Sequence, residues 1–169
     1  GASLNLEGSR FEANEGSDGG GLSMSGGAAD LRNLRIVGNL AHGNGGGVRG
    51  QGADLDLAHV LGSENTAMAR GGAVYLDSCT TRASHNRITG NWGVIATLCL
   101  SNGTLSMSSS DIVGNTSDNW GTVYASGGAQ LDIENTQISS NVSGGNGALL
   151  LFLPSSIDLE HVNVWGNTP

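Results

Sequence analysis

The sequence predicts an all-β fold, specifically a right-handed, single-stranded parallel β-helix whose coils stack along one axis. Three observations favour this fold: asparagines recur at a nearly constant interval, glycine clusters follow most of them, and short segments alternate between apolar and polar residues. A repeat of this length stacks on its neighbours because one repeat alone cannot bury its apolar face. We expect about six and a half coils of roughly 25 residues each, with three short strands per coil.

The asparagine repeat sets the period of the predicted solenoid. Seven asparagines are separated by 25, 26, 26, 24, 26 and 26 residues: Asn14, Asn39, Asn65, Asn91, Asn115, Asn141 and Asn167. Asparagine tolerates the left-handed backbone conformation of a tight corner, and its amide can donate to the amide of the next coil. We therefore predict that these side chains stack as a hydrogen-bonded ladder. The alternative is a set of exposed turn asparagines without mutual contact.

The strands are predicted from alternating segments and from the glycine clusters that separate them. Alternation between apolar and polar residues occurs in Leu4-Asn5-Leu6, Leu55-Asp56-Leu57, Leu105-Ser106-Met107, Leu131-Asp132-Ile133 and Ile157-Asp158-Leu159. Such short alternation, bounded by Gly, Asn and Ser, is typical of half-buried strands, and no window keeps an apolar stripe at helical spacing. An antiparallel sandwich also contains short strands, but it does not account for a pattern that repeats in register.

Two short motifs resemble those of a known family. Gly71-Gly72-Ala73-Val74 and Phe11-Glu12-Ala13-Asn14 resemble the paired GGA(I/L/V) and FxxN repeats of the polymorphic outer-membrane proteins. Those proteins are surface-displayed autotransporter adhesins whose passenger is a right-handed β-helix. The resemblance covers the whole chain as a periodic pattern, although only one strict copy of each motif occurs. It implies an extracellular or cell-surface scaffold of the adhesin or structural type.

Residues 1–169 are interpreted as a single β-helix domain and as a fragment of a longer repeat protein. The pattern starts partway through a strand, stops just after the seventh asparagine, and shows no clear capping repeat. Open solenoid ends leave backbone groups unpaired, so end-to-end or lateral self-association is expected. No apolar run reaches the length of a membrane span, and direct membrane insertion is not expected.

The charge balance limits the classes of partner that the chain is expected to bind. The chain has seven arginines, no lysine, fifteen carboxylates and a formal net charge of −8. An acidic chain without a basic cluster is not expected to bind nucleic acid or an anionic membrane surface. Other protein chains and host or cell-surface glycans remain as expected partners.

A polysaccharide-processing enzyme is the alternative function, because the β-helix fold also houses lyases and glycosidases. Lyase chemistry on acidic sugars needs a cation cluster and a base, and glycoside hydrolysis needs two carboxylates at a defined separation. Neither set is visible in the sequence. The four histidines share no spacing with a nucleophile or a set of metal ligands: His42, His59, His85 and His161. We therefore expect a non-catalytic protein with no catalytic residues.

Cys79 and Cys99 are the only cysteines, and they lie in adjacent predicted coils. A disulfide between the two coils would fit an oxidising, extracellular location. The repeat is compressed around these residues, and one register directs the two side chains to opposite faces. Two buried free thiols are therefore an equally open interpretation.

Three sequons for N-glycosylation occur, beginning at Asn102, Asn115 and Asn141. Asn102 is predicted to lie in a turn outside the ladder, whereas the other two are ladder members and would be shielded. In a secretory pathway with this modification, Asn102 is the residue expected to carry a glycan.

Outward-facing carboxylates provide the one candidate metal site. Asp132 and Glu134 are expected to stack on Asp158 and Glu160 one coil later, with Asp56 and Glu7 on the same face. One interpretation is solvated repulsion between like charges. The other is a stripe of oxygen ligands for a divalent cation, which would be calcium. Apart from this possible calcium, no cofactor is expected.

Overall fold

The computed structural model describes residues 2–152 and 156–169. Within these residues the chain forms 26 short strands, and each strand pairs in parallel with its counterpart one coil away. The strands form four sheets of seven, seven, six and six strands that wrap around one axis. Successive coils are offset by 24 to 26 residues. The predicted parallel β-helix is confirmed.

The strand bounds follow the repeat. The first sheet contains β1 (Ser3–Glu7), β5 (Ala28–Arg32), β9 (Asp54–Ala58), β13 (Thr80–Ser84), β17 (Thr104–Ser108), β21 (Gln130–Glu134) and β25 (Ser156–Glu160). The second sheet contains β2 (Arg10–Glu12), β6 (Arg35–Val37), β10 (Leu61–Ser63), β14 (Arg87–Thr89), β18 (Asp111–Val113), β22 (Gln137–Ser139) and β26 (Asn163–Trp165). The third sheet contains β3 (Glu15–Gly16), β7 (Leu40–Ala41), β11 (Thr66–Arg70), β15 (Trp92–Ile95), β19 (Thr116–Ser117) and β23 (Val142–Ser143). The fourth sheet contains β4 (Leu22–Ser25), β8 (Val48–Gln51), β12 (Val74–Asp77), β16 (Leu98–Ser101), β20 (Val123–Ser126) and β24 (Leu149–Leu151).

Each complete coil contains four strands, so the predicted number of three strands per coil is wrong. The additional strand belongs to the third sheet, directly after the ladder asparagine. In four of its six members it is only two residues long, as in β7 (Leu40–Ala41). Two residues cannot display an alternating pattern, which is why most of this sheet left no signal in the sequence.

The core is a set of apolar columns that run along the solenoid axis. In the first sheet Leu31 pairs in register with Leu57, and Met107 pairs with Ile133. Because side chains alternate along a strand, the residue between two interior positions of the same strand faces outward. Side chains with 5% exposure or less fill the interior, including Leu31, Leu34, Ile36, Leu55, Leu76, Ile88, Leu98, Leu100, Leu105, Met107, Ile112, Val123, Leu131, Ile133 and Ile138.

A small cavity interrupts this core in the third and fourth coils. Its volume is about 30 Å³, and it is lined by apolar side chains that include Ile36, Leu57 and Ile88. Gly62 lies in register between Ile36 and Ile88, where the other coils place a large apolar residue. A Cβ atom added at Gly62 would meet no atom within 4 Å. The missing side chain therefore accounts for the cavity.

The corner before each ladder asparagine is formed by the preceding residue. These seven residues adopt a left-handed backbone, with φ from 53° at Ala13 to 65° at Gly90 and Gly114. The ladder asparagine, which tolerates this conformation, does not adopt it. Because the chain turns one residue earlier, the backbone N–H of the asparagine and its side-chain amide are both directed at the same acceptor in the next coil.

The glycine clusters allow close approach between coils before the fourth sheet. A Cβ atom at Gly46 would overlap the backbone carbonyl oxygen atoms of Gly72 and Thr66 in the following coil. Glycine is therefore required at this position by contact with the neighbouring backbone.

Candidate functional site

An uninterrupted ladder of asparagine side chains runs along the solenoid. The Nδ2 of each asparagine donates to the Oδ1 of the asparagine one coil later, at 2.9 to 3.0 Å in all six steps. The same Oδ1 also accepts the backbone N–H of the donating asparagine, at 2.9 to 3.0 Å. The contact between amides that the spacing predicts is present.

The ladder is buried as well as hydrogen-bonded. From Asn39 to Asn141 the exposed fraction of the ladder residues is at most 1%. The remaining N–H of each Nδ2 donates to a backbone carbonyl of the preceding coil, as from Asn65 to Ile36 at 2.8 Å and from Asn115 to Ile88 at 2.9 Å. Buried amides with every polar group paired stabilise a fold and are not available to a ligand.

A second, shorter polar column lies at the turn between the first and second sheets, and it was not predicted from the sequence. Asn86 accepts the backbone N–H of Val60 at 2.8 Å and donates to the carbonyl of Leu57 at 2.9 Å. The hydroxyl of Ser110 accepts the N–H of Asn86 at 3.1 Å, and that of Thr136 accepts the N–H of Ser110 at 3.4 Å. The three residues are separated by 24 and 26 positions, the same spacing that revealed the main ladder.

The predicted acidic face is the outer surface of the first sheet. Asp132 pairs in register with Asp158, and Glu134 with Glu160. Asp56 lies on the same face, beside Asp30 of the preceding coil. The column is not continuous, because Arg82 and Ser106 occupy the two intervening positions. The face therefore consists of two separate acidic patches.

The N-terminal acidic patch contains a counter-ion, Arg32. The Nε of Arg32 lies 2.6 Å from the Oδ1 of Asp30, and its guanidinium also reaches the Oδ2 of Asp56 at 3.4 Å. The hydrogen bond and the charge of Asp30 raise the pKa of Arg32, with smaller contributions from Asp56 and Glu7. Glu7 also pairs in register with Arg32. This patch has its own counter-ion.

The C-terminal acidic patch contains the four residues proposed as metal ligands. Among the described residues, the nitrogen nearest to these carboxylates in a possible ion pair is His161 Nδ1, 3.7 Å from Glu160 Oε1. Within residues 2–152 and 156–169, no group of three or more His, Cys, Asp or Glu side chains is arranged to hold a metal ion. The stacking of Asp132 on Asp158 and of Glu134 on Glu160 is as predicted, and calcium binding stays a prediction.

The two cysteines are free thiols, so the disulfide interpretation is wrong and the alternative of two buried thiols holds. Cys79 packs in the interior with the main apolar core. Cys99 lies on the outer side of β16, in a separate cluster with Tyr75, Ala96 and Tyr124. Leu100 continues the interior column, so that the two thiols occupy opposite faces of the coil wall.

The outer cluster is a second apolar centre against the fourth sheet. Tyr75 and Tyr124 are in register with Cys99 on either side, and Trp120 packs against Tyr124 with ring centroids 4.5 Å apart. Burial raises the pKa of Cys99 to about 12 and also raises the pKa values of Cys79 and Tyr75. A thiol with a raised pKa is a poor nucleophile, so this cluster is a packing feature.

Asn102 lies in a turn between β16 and β17, as predicted. It has an exposed side chain whose Nδ2 donates to Asp77 Oδ1 at 3.2 Å, and its φ is 58°. Asn115 and Asn141 are buried in the ladder. Of the three sequons, only the one at Asn102 presents its amide at the surface, and its glycosylation stays a prediction.

Three of the four histidines lie at the turn between the first and second sheets, and His42 lies in a different turn. The Nε2 of His42 lies 2.6 Å from Glu15 Oε1 in the turn after the third sheet. His59 and His85 stack on each other at the turn between the first and second sheets, with ring centroids 4.8 Å apart. His161 occupies the same turn in the last coil. The four side chains do not converge on one site.

Comparison of the chain with known protein families, with curated proteins and with solved structures finds no match. Within residues 2–152 and 156–169, no helix has the length and apolarity that crossing a membrane requires.

Proposed function

We propose that this chain is a non-catalytic segment of an extracellular β-helix protein, acting as an adhesin or as a structural element of a cell surface or fibre. The observation that carries the proposal is the regularity of the coil. Turns that lie wholly within the described residues are short: two residues separate β9 from β10, and six separate β7 from β8. Residues therefore stay in register from coil to coil, and the outer faces present stacked side chains in straight columns.

A rod of this kind suits display and extended contact. The buried ladder and the parallel sheets fix the relative positions of the coils, so that an outer face can meet a repetitive partner over several coils. The resemblance of the GGA(I/L/V) and FxxN motifs to adhesin passengers supports the same function. Other protein chains and cell-surface glycans are the proposed partners, at the cell surface or outside the cell.

The test separates binding from catalysis with the same purified chain. Beads coated with the chain are exposed to cells and to a panel of immobilised glycans, and the soluble chain is incubated with acidic and neutral polysaccharides. Retention of beads without product supports an adhesin, and neither retention nor product supports a structural spacer. Release of reducing ends or of unsaturated sugar products would contradict the proposal and favour a lyase or glycosidase.

A further inference from the structure

We propose that His59 and His85 form a binding site for a single divalent transition-metal ion. The two residues occupy the same turn in adjacent coils, and their imidazole rings are stacked with centroids 4.8 Å apart and planes 22° apart. Both side chains are exposed to solvent. The inference is independent of the adhesin or structural function proposed above.

The backbone fixes the positions of the two residues relative to each other before any ion arrives. Both residues adopt a left-handed backbone, with φ of 56° at His59 and 55° at His85. The N–H of His59 donates to the carbonyl of Ser84 at 3.0 Å, and that of His85 donates to the carbonyl of Ser108 at 3.1 Å. Asn86, which follows His85, bridges the two coils through its side chain. The distance between the two Cα atoms is therefore fixed by the solenoid rung.

The donor chemistry suits ions of intermediate softness. Neutral imidazole nitrogen is a good ligand for Cu²⁺, Zn²⁺ and Ni²⁺, and nitrogen-to-metal distances are about 2.0 to 2.1 Å. Because both rings are exposed, rotation about their side-chain bonds can bring one nitrogen of each ring to a shared ion. Water completes the coordination. Cu²⁺ is expected to bind most tightly, following the usual order of divalent affinities.

Two arginines lie near the pair, and each is in register with a carboxylate. Arg82 precedes the pair on the first sheet and is in register with Asp56, whereas Arg87 follows it on the second sheet and is in register with Asp111. Each arginine therefore has a carboxylate one coil away.

The experiment uses Cu²⁺ alone as the probe, with isothermal titration calorimetry for affinity and electron paramagnetic resonance for the number of bound nitrogens. The substitutions are His59→Asn and His85→Asn, because Asn33 and Asn135 already hold the same left-handed position in other coils, with φ of 55° and 48°. His161→Asn is the matched control, since His161 lies in this turn column with φ of 52° and has no stacked histidine partner among the described residues.

The wild-type chain is expected to bind one Cu²⁺ through two imidazole nitrogens. Either substitution at the pair should weaken binding about tenfold or more and leave one imidazole ligand, whereas His161→Asn should change neither. Ser109→His adds a third ring to the column in the coil after His85 and should tighten binding. This variant tests the proposal even if His59→Asn or His85→Asn fails to fold. The proposal is overturned if the wild type shows no two-nitrogen signal, or if His161→Asn weakens binding as much as the paired substitutions.

Discussion

The Nδ2 of Asn91 lies 2.9 Å from the Oδ1 of Asn115, although this coil is two residues shorter than most of its neighbours. The two missing residues fall after the ladder asparagine and before the fourth sheet begins. β11 and β15 pair with a register shift between Ala67 and Arg70, and Leu98 is in register again with Val74. The ladder and the first sheet thus keep their alignment while the turn before the fourth sheet loses residues. Hydrogen bonding between the buried amides sets the register that the turns must follow.

Gly62→Ala is expected to stabilise the protein by about 1 kcal/mol, because the added methyl enters the cavity between Ile36 and Ile88 and the unfolded chain loses freedom. Gly38→Ala is the matched control. Its Cβ also meets no atom within 4 Å, but its φ is 64°. That variant should lose about 1 kcal/mol through backbone strain. Urea unfolding measures both, and changes of the same sign would contradict this explanation.

Thr81→Val is expected to raise the free energy of unfolding by about 1 kcal/mol. Thr81 is 1% exposed and lies in register between Leu55 and Leu105. Among the described residues its hydroxyl has no hydrogen-bond partner. Thr136 is equally buried, but its hydroxyl donates to the carbonyl of Glu134 at 2.8 Å. Thr136→Val should therefore destabilise the fold in the same thermal or urea assay, and a gain for Thr136→Val with none for Thr81→Val would refute the argument.

Stability is expected to fall as the pH rises above about 9. The pKa of the Cys99 thiol is raised by burial to about 12 from its ordinary value of 9.0, so the unfolded chain releases this proton first. The loss continues as the pH rises towards 12 and reaches at most about 1.4 kcal/mol per pH unit for one group. Cys79 and Tyr75 contribute in the same direction. Urea midpoints between pH 8 and pH 11 should fall less steeply in Cys99→Ala, and an unchanged slope would show that the buried thiol does not titrate as described.

Calcium is expected to raise the melting temperature in a saturable way if the C-terminal acidic patch binds it. The combined substitution Asp132→Asn with Asp158→Asn should abolish the shift, because these two carboxylates stack directly. The control combines Asp30→Asn with Asp56→Asn, where Arg32 already supplies the counter-ion. A melting temperature that does not respond to millimolar calcium, or a shift that survives in the first variant, would leave the patch as solvated surface charge.

The sequence predicted those features that recur with little variation. The asparagine spacing predicted the coil and the contacts of the ladder, and the alternation in segments such as Leu131-Asp132-Ile133 predicted the first sheet and its outward carboxylates. Both signals depend on one residue type or one period that persists through most coils.

Other features lacked such a signal. Most strands of the third sheet are too short to alternate. The column at Asn86 has apolar residues, Leu34 and Val60, at the equivalent positions of the two preceding coils. The opposite orientation of Cys79 and Cys99 depends on where the compressed coil loses two residues, which the spacing alone leaves ambiguous. His59 and His85 have the 26-residue spacing of the ladder, but the stacking of their rings is seen only in the structure.

Urea unfolding of Asn115→Ala tests most directly whether the buried ladder holds the coils together. The Oδ1 of Asn115 accepts two hydrogen bonds from Asn91, and its Nδ2 donates to Ile88 and Asn141. Removing the amide leaves these buried groups without partners and should lower the free energy of unfolding by about 1 to 3 kcal/mol. Asn5→Ala, at an exposed position of β1, should change it by less than about 0.5 kcal/mol. Equal effects of the two substitutions would contradict a stabilising ladder.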